Sequence, residues 1–261
     1  MCRPTHYTIA YEINPWMSLK RQAHRARALA QWDRLYRLLT RELRARVRLL
    51  PPHPGVPDLV FTANAGLIAG RTVIRSNFRH PERQLEEPIV EQFFRRTGFR
   101  VIRLESRYDF EGEGDALWMN RTLVFGFRFR SDAPVHEVFA RLLQARVLPV
   151  ELADRRFYHL DTCFCPLDAR RALWFPKAFD RYGRRVIESV ADDLIAVSEA
   201  DARRFVCNAI VIGGAVALQA GFSSSLRRRL VRRGLTLYPL DLSEFLKAGG
   251  SAKCLVLRLS G

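Results

Sequence analysis

Short apolar runs and polar gaps recur along the chain with a period of about 48 residues. Each recurrence has an apolar run, a marker residue, a polar or glycine-rich gap, two short apolar strands joined by a turn, and a helical stretch. The markers, separated by 50, 48, 48 and 47 positions, are Phe61, Glu111, His159, Cys207 and Cys254. A regular spacing of this length indicates an internal repeat, and each unit is predicted to run strand, hairpin, helix, strand.

The same pattern predicts the elements inside and outside the repeat. Hairpins are predicted near residues 67–74, 116–125, 163–175 and 210–218. Helices are predicted over residues 82–97, 134–145, 181–190, 199–205 and 224–233. Outside these units, the pattern predicts a strand over 7–13, a long helix over 18–47 with one apolar stripe, and a last strand over 255–259.

A unit of this size cannot bury its apolar face alone. Five units closed around a common axis bury all of these faces and leave no open sheet edge. The predicted fold is therefore α/β, a five-bladed pseudo-fivefold propeller, formed by residues 1–261 as one domain. In this arrangement, polar residues at one position of each unit point toward the axis, and they are Asn64, Glu111, His159, Asn208 and Cys254.

The charge of the chain first suggests nucleic-acid binding, because its net charge is +16 at pH 7. Only four of the basic residues are lysines, and the arginines lie mostly in predicted helices, such as residues 21–48 and 227–233. No RNA- or DNA-reading motif or interleaved aromatic patch accompanies them. Solvated helix faces explain this charge better, and no nucleic-acid partner is expected.

Cysteine usage and hydropathy predict a cytoplasmic protein. The five cysteines are odd in number and lack the regular spacing of a disulfide framework. The longest apolar run, residues 209–222, is interrupted by Gly213, Gly214 and Gln219, so it predicts two strands around a turn and no membrane span. The first residues do not resemble a signal peptide.

Three of the axial positions carry side chains that together suit covalent catalysis at carbon. Cys254 supplies a thiol, His159 an imidazole that can carry protons, and Glu111 a carboxylate that can orient or bind. Gly249 precedes the cysteine, in a glycine pair with residue 250 that is predicted to let a small molecule approach the backbone. The adjacent Lys253 is predicted to favour the thiolate.

A zinc site is the competing interpretation of the residues around His159, because Cys163 and Cys165 lie within seven residues of it. Zinc needs four ligands at matched spacing, and no second pair of Cys or His residues is present, so no metal is expected. Cys207 is interpreted as a packing residue, and Cys2 is given no role.

The motifs around these residues resemble those of the guanidino-group modifying enzymes, the pentein superfamily. The similar segments are the glycine-rich run 249–254 that ends in the cysteine, the His-Leu-Asp-Thr motif at 159–162, and the acidic Glu-Gly run at 111–115. The chain departs from the deiminases at Asn64, where they usually carry aspartate, and its acidic run is one residue longer. Segments 14–17 and 61–66 are most similar to the dimethylarginine dimethylaminohydrolase-like and arginine dihydrolase branch.

The resemblance implies the five-bladed propeller fold and a cofactor-free hydrolase of arginine or a methylated arginine, acting through an S-alkylthiouronium intermediate on Cys254. It implies that His159 transfers protons and that the carboxylates of Asp161 and Glu111 bind the guanidinium. Glu113 is the second choice for the position of Glu111. It also implies Arg83 and Arg130 as candidates to bind the amino-acid carboxylate. The other substrate-binding residues that it implies are Asn64, Asn14, Asp115, Gly249 and Gly250.

Two alternatives remain at this point. An arginine:amine amidinotransferase would share the thiouronium chemistry and use an amine in place of water. A non-catalytic, basic nucleic-acid-binding protein on the same scaffold is the alternative from another class. The sequence leaves the choice of arginine or methylarginine, the choice of ornithine or citrulline as product, and a possible homo-oligomer open.

Overall fold

A computed structural model, which describes residues 1–259, contains four three-stranded sheets that share one topology. In each sheet the first two strands form an antiparallel hairpin, and the third pairs parallel to the second after a helical crossover. The sheets consist of β1 Gly66–Ala69, β2 Thr72–Arg75 and β3 Arg100–Arg103; β4 Ala116–Met119, β5 Thr122–Phe127 and β6 Arg146–Glu151; β7 Phe164–Pro166, β8 Arg171–Trp174 and β9 Asp193–Ala196; β10 Ile210–Ile212, β11 Ala215–Gln219 and β12 Thr236–Leu240.

Among the described residues, five helices lie in the crossovers between the second and third strands of the sheets, and the other three lie before, between or after the sheets. The helices are α1 Arg25–Arg37, α2 Pro81–Gln84, α3 Glu86–Arg96, α4 Val135–Leu143, α5 Arg181–Val190, α6 Glu199–Ala202, α7 Ser224–Val231 and α8 Ser243–Leu246. The predicted hairpins and helices of the repeat are therefore confirmed. Most of the hairpins are slightly longer than predicted, most of the helices are shorter, and the helix predicted over 82–97 is divided into α2 and α3. Within residues 1–259, every helix is too short or too polar to cross a bilayer.

The strand predicted before each hairpin is wrong, because the residues at the markers form short 3-10 turns. These turns are Thr62–Ala65, Gly112–Gly114, Leu160–Thr162 and Lys253–Leu255, the last of which contains Cys254. Phe61, Glu111 and His159 each lie five residues before the first strand of their sheet, whereas Cys207 lies three residues before β10. The repeat is thus less regular at its fourth unit than the marker spacing suggested.

The fifth unit joins the two ends of the chain. Cys2 and Leu50 form an isolated parallel bridge, and Leu257 packs with both in one apolar cluster. The strand predicted over 255–259 is not formed: a 3-10 turn ends at Leu255, and the residues after it up to 259 have no strand pairing.

The elements predicted before the repeat are also wrong in part. No strand forms over 7–13, because the side chain of Gln22 bonds both the N–H and the carbonyl of Ile9 and so takes the place of a neighbouring strand. The predicted long helix is limited to α1 and a π turn, Leu38–Glu42. It begins late, where His24 caps α1, and it ends at Glu42, shortly before Arg44, whose φ of 54° is left-handed.

Candidate active site

The loop before Cys254 is held against protein side chains at both of its glycines. Gly249 has a φ of +80°, and a Cβ there would lie 2.9 Å from the Tyr158 hydroxyl. A Cβ on Gly250 would lie 2.5 Å from the ring of Phe61. The interpretation of these glycines as a floor for a ligand is therefore corrected: the space is filled by side chains, and glycine is needed for the loop to pack.

The thiol of Cys254 is 3% exposed and has two polar neighbours. It donates to Asp161 Oδ2 at 3.5 Å, and it accepts from Asn208 Nδ2 at 3.1 Å. Burial raises the pKa of Cys254 well above its ordinary value, the nearby Asp161 raises it further, and Asn208 and Lys253 oppose them only in part. With these neighbours, Cys254 is a neutral thiol.

Lys253 does not produce the thiolate that its position in the sequence predicts. Its ammonium group donates to Glu113 Oε2 at 2.8 Å and to the carbonyl of Val256 at 3.2 Å. An ammonium paired with its own carboxylate has less effect on the thiol than a free one. Glu113, the second choice for the catalytic acid, is committed to this ion pair.

Asp161 lies beside the thiol with one oxygen unused. Burial raises the pKa of Asp161 to about 7, although Lys253, Cys254 and Asn208 oppose the shift. Its Oδ1 atom is buried and has no hydrogen-bond partner among the described residues. Buried carboxylate oxygens are normally bonded, so this atom is suited to a donor from a ligand.

Glu111 and His159 form the second part of the site, together with Arg130. Glu111 Oε2 accepts from His159 Nε2 at 2.8 Å and from Arg130 Nη1 at 2.9 Å. Burial alone would raise the pKa of Glu111, but the charge of Arg130 and the bond from His159 hold it well below its ordinary value. Burial lowers the pKa of His159 to about 4, against the effect of Glu111. His159 is therefore neutral and Glu111 ionised at pH 7, and Glu111 Oε1 and His159 Nδ1 have no partner in residues 1–259.

Arg83 and Arg130 are buried and paired, whereas arginines are usually exposed. Arg83 makes two hydrogen bonds to Glu86, at 2.7 and 2.9 Å, and donates to Asn64 Oδ1 at 3.0 Å. Arg130 donates to the carbonyl of Ile13 at 3.0 Å in addition to Glu111. Asn64 in turn donates to the backbone carbonyl of Glu111 at 3.3 Å, which connects the two groups.

A narrow pocket leads to the thiol. It is lined by Ile13, Asn14, Met17, Asp58, Phe61, Asn64, Arg83, Arg130, Tyr158, Ala248 and Cys254. The structure thus brings five of the predicted residues to the pocket wall, and they are Cys254, Asn64, Arg83, Arg130 and Asn14. Glu111, His159 and Asp161 lie directly behind them through the hydrogen bonds described above.

The structure does not bring Asp115 to the pocket. Its Oδ1 accepts from the backbone N–H of Leu160 at 3.1 Å, and its Oδ2 accepts from Ser131 Oγ at 2.7 Å. Asp115 therefore supports the turn that carries His159. A carboxylate whose two oxygens both accept hydrogen bonds from the protein has a structural role. The motif at 111–115 alone does not show whether Asp115 has such a role or binds a ligand.

Three residues of the site were missed as site residues. Asp58 and Tyr158 line the pocket, and Asn208 bonds the thiol. Asn208 had a signal in the sequence, because it occupies an axial position of the repeat. For Asp58, the only signal was an acidic residue inside an apolar run, and Tyr158 had none beyond its place next to His159.

The cysteines near His159 turn into the core. Cys163 Sγ donates to the carbonyl of Leu160 at 3.5 Å, and Cys165 Sγ to that of Ala209 at 3.7 Å. Both pack in the same apolar cluster as Cys207. Within residues 1–259, no group of three His, Cys, Asp or Glu side chains is arranged to hold a metal ion.

Comparisons with known proteins identify the family and the fold of the chain. A family model described as N,N dimethylarginine dimethylhydrolase, eukaryotic, matches residues 9–260. The bifunctional arginine dihydrolase/ornithine cyclodeaminase AgrE of Nostoc is 45% identical over the whole chain, which spans 37% of AgrE. The N(G),N(G)-dimethylarginine dimethylaminohydrolase of Mycobacterium tuberculosis is 36% identical, with 99% of this chain and 84% of that protein covered.

A solved structure matches the fold at full length. It is the N-terminal domain of ArgZ, an arginine dihydrolase of the ornithine-ammonia cycle in cyanobacteria, in a cysteine-to-serine variant bound to substrate. The match has a TM-score of 0.95 at 43% identity and covers 100% of this chain and 97% of that one. The predicted five-bladed α/β propeller and the resemblance to the pentein enzymes are confirmed. The chain belongs to the N,N-dimethylarginine dimethylhydrolase family of guanidino C–N hydrolases.

Proposed function

We propose that the chain is a cytoplasmic arginine dihydrolase, a cysteine hydrolase that converts arginine to ornithine, ammonia and carbon dioxide. The observation that carries this proposal is a set of buried atoms in the two parts of the site that have no partner among the described residues: Glu111 Oε1, Asp161 Oδ1 and His159 Nδ1. A buried acceptor left unpaired costs about 1–3 kcal/mol. A guanidinium, whose planar N–H groups suit paired carboxylates, satisfies such acceptors.

The charge of the site favours the same ligand. Cys254 and Asp161 have raised pKa values because both are buried, so a cation placed between them favours their ionised forms. A guanidinium thus brings the positive charge that converts the thiol to a thiolate. The thiol proton passes to Asp161 Oδ2, its hydrogen-bond partner, or to solvent.

The reaction then proceeds in two stages. His159 Nδ1 takes up, through solvent, one proton in exchange for the one that the thiol released. Cys254 Sγ bonds to the guanidinium carbon, and the C–N bond to the leaving nitrogen breaks as His159 gives that nitrogen this proton, which releases ammonia and leaves an S-alkylthiouronium. His159 next takes a proton from a water that attacks the same carbon, and the C–S bond breaks to restore the thiolate. Glu111 holds the imidazole through Nε2 and stabilises its protonated form during both transfers.

The amino-acid end of arginine fits the outer pocket wall. The guanidinium groups of Arg83 and Arg130 suit a carboxylate. Asp58 Oδ1 is buried with no partner among the described residues, and it suits the α-ammonium. Binding both ends of the substrate favours a free amino acid over agmatine, which lacks the carboxylate.

Asn64 is proposed to make the enzyme act twice on each substrate. After one hydrolysis the product carries a neutral ureido group, and a neutral amide can hold it where an aspartate would favour a cation. The higher identity to AgrE than to the M. tuberculosis enzyme, 45% against 36%, supports the dihydrolase over the dimethylargininase. Because the chain spans about a third of AgrE, only the dihydrolase part of that activity is proposed.

Product analysis tests this proposal. The protein is incubated with arginine, asymmetric dimethylarginine and agmatine, and ornithine, citrulline, ammonia and dimethylamine are measured. Ornithine from arginine without accumulation of citrulline is expected. Citrulline with dimethylamine would identify a dimethylargininase instead, and amidine transfer to an added amine would identify an amidinotransferase. DNA affinity that falls steeply with salt, without turnover of any guanidine, would support the binding protein.

The role of Asn64 has its own variant. Asn64→Asp keeps the oxygen that accepts from Arg83 and loses the N–H given to the Glu111 carbonyl. We expect this variant to release citrulline from arginine. If it still forms ornithine at the wild-type ratio, Asn64 does not govern the second hydrolysis.

A further inference from the structure

We propose that Asn208 is a catalytic residue, whose side-chain amide holds the Cys254 sulfur as a thiolate and fixes the loop that carries it. The inference rests on the proposed function for its place in the reaction. Its physical content, a hydrogen bond that stabilises a thiolate, can be tested without any substrate.

Both ends of the Asn208 amide are engaged with the cysteine. Its Oδ1 accepts from the backbone N–H of Cys254 and from that of Ser251, both at 3.1 Å. Its Nδ2 donates to Cys254 Sγ at 3.1 Å and to the carbonyl of Asp161 at 3.2 Å. Only an oxygen can accept from two backbone N–H groups, so the nitrogen of the amide must face the sulfur.

The environment makes this contact effective. Asn208 is fully buried, and so is the residue it joins to the thiol, Asp161. Hydrogen bonds to a charged atom at low local dielectric are about twice as strong as neutral ones. Among residues 1–259, the side chain that donates a hydrogen bond to this sulfur is that of Asn208, because the ammonium group of Lys253 bonds Glu113 instead.

The contact acts at two points of the reaction. When Cys254 loses its proton, the Nδ2–H bond to sulfur strengthens as negative charge appears there. When the C–S bond breaks in the second stage of the reaction, the same hydrogen bond stabilises the leaving thiolate. Because Oδ1 binds the N–H of Cys254 itself, the same amide holds the backbone that carries the sulfur.

The test measures alkylation of Cys254 by iodoacetamide as a function of pH, read by mass spectrometry of the peptide that contains it. Below the thiol pKa the rate follows the thiolate fraction. For Asn208→Ala we expect the rate at pH 8 to fall about tenfold and the pH profile to shift upward. Asn208→Asp keeps the oxygen that holds the loop but gives no N–H to sulfur and adds a buried acid beside it, so we expect a fall of at least tenfold.

Asn77→Ala is the matched control. Asn77 is also buried and donates to three backbone carbonyls, of residues 104, 105 and 108, but it does not touch Cys254. This variant is expected to lose stability and to keep the wild-type alkylation rate. If Asn208→Ala and Asn208→Asp alkylate at the wild-type rate or faster, Asn208 is a structural residue and the proposal is overturned. If the alkylation rates fall as expected while the wild type turns over no guanidine, the role of Asn208 stands and the proposed function fails.

Discussion

The two halves of the site are equally buried, but one favours the ionised form of its carboxyl group and the other favours the protonated forms of its acids. In the imidazole half, Glu111 bonds both His159 and Arg130, and its pKa lies well below its ordinary value. In the thiol half, Asp161 and Cys254 face each other, and burial raises the pKa of Asp161 to about 7 and that of Cys254 well above its ordinary value. One half holds an ion pair, and the other holds two acids whose protonated forms are favoured by burial.

The difference lies in where each half keeps its cation. Arg130 points at Glu111, whereas Lys253, next to Cys254 in the chain, bonds Glu113. A buried anion without a close counter-ion is costly, so the thiol half remains protonated until a positive charge arrives. In the proposed mechanism, such a site reacts with cationic substrates and keeps its nucleophile in the unreactive thiol form otherwise. Four experiments, from the largest expected effect to the smallest, test this contrast.

Removal of the nucleophile has the largest effect. Cys254→Ala removes the atom that forms the covalent bond, and we expect ornithine formation from arginine to fall at least about 1000-fold. Cys207→Ala is the matched control, since Cys207 is another buried cysteine at a marker position and packs in the core. It is expected to keep most of its activity. Comparable activity in Cys254→Ala and the wild type would disprove the mechanism.

Glu111→Gln breaks the ion pair of the imidazole half. Arg130 is 2% exposed, so the substitution leaves its buried charge without a carboxylate. We expect a loss of about 3–5 kcal/mol in the free energy of unfolding, measured by urea denaturation, and a fall in kcat of at least about 100-fold. Glu137→Gln serves as the control, because its partner Arg141 is exposed and 3.8 Å away, and should change stability by less than about 0.5 kcal/mol. Equal losses in the two variants would show that the imidazole half does not depend on the pair.

Asp161→Asn tests the thiol half through the pH dependence of stability. The pKa of Asp161 is raised to about 7 in the folded chain, mainly by burial, so the folded state holds this proton more tightly than the unfolded state. Its stabilising effect is present below about pH 4 and is lost as pH rises to about 7. Because asparagine does not titrate, the free energy of unfolding of the variant, relative to the wild type, should increase across that window by roughly 4 kcal/mol.

A surface carboxylate gives the opposite sign and serves as the control for this trend. Arg233 lowers the pKa of Asp193 through its hydrogen bonds, so Asp193 stabilises the fold above its unfolded pKa, and Asp193→Asn should lose stability relative to the wild type as pH rises. If the Asp161→Asn difference is flat between pH 4 and 7, Asp161 ionises normally and the two halves are not different in this respect.

Much of this arrangement could be predicted from the sequence, because apolar periodicity and repeat spacing depend on local pattern. The hairpin of β1 and β2 is an example: a turn at Gly70 between two apolar runs leaves few other structures possible. The same spacing pointed to Glu111, His159 and Cys254 as one group. The repeat spacing predicts which residues occupy equivalent positions around the axis, and this prediction does not depend on their contacts.

What could not be predicted depends on contacts between distant residues. Lys253 was expected to act on the adjacent Cys254, but it bonds Glu113, which lies 140 positions away in the chain. The side chain of Gln22, not a neighbouring strand, satisfies the backbone of Ile9, and no local pattern announces such a replacement. The pKa values of the site follow from burial and from such partners, so their signs required the structure.

Arg130→Met gives the smallest effect and separates the two causes of the low pKa of His159. Burial lowers the pKa of His159 to about 4, Glu111 opposes that shift, and the charge of Arg130 adds to the lowering. Removal of Arg130 leaves burial and Glu111 in place, so the NMR titration midpoint of the His159 imidazole should rise by about one pH unit.

Arg128→Met is the control, since Arg128 pairs with the half-exposed Glu151 outside the site and should leave the midpoint unchanged. A midpoint that stays near 4 in Arg130→Met would mean that burial alone keeps the imidazole neutral. Arg130 would then hold Glu111 in place without setting the proton balance of the imidazole half, and the contrast between the two halves would rest on Glu111 alone.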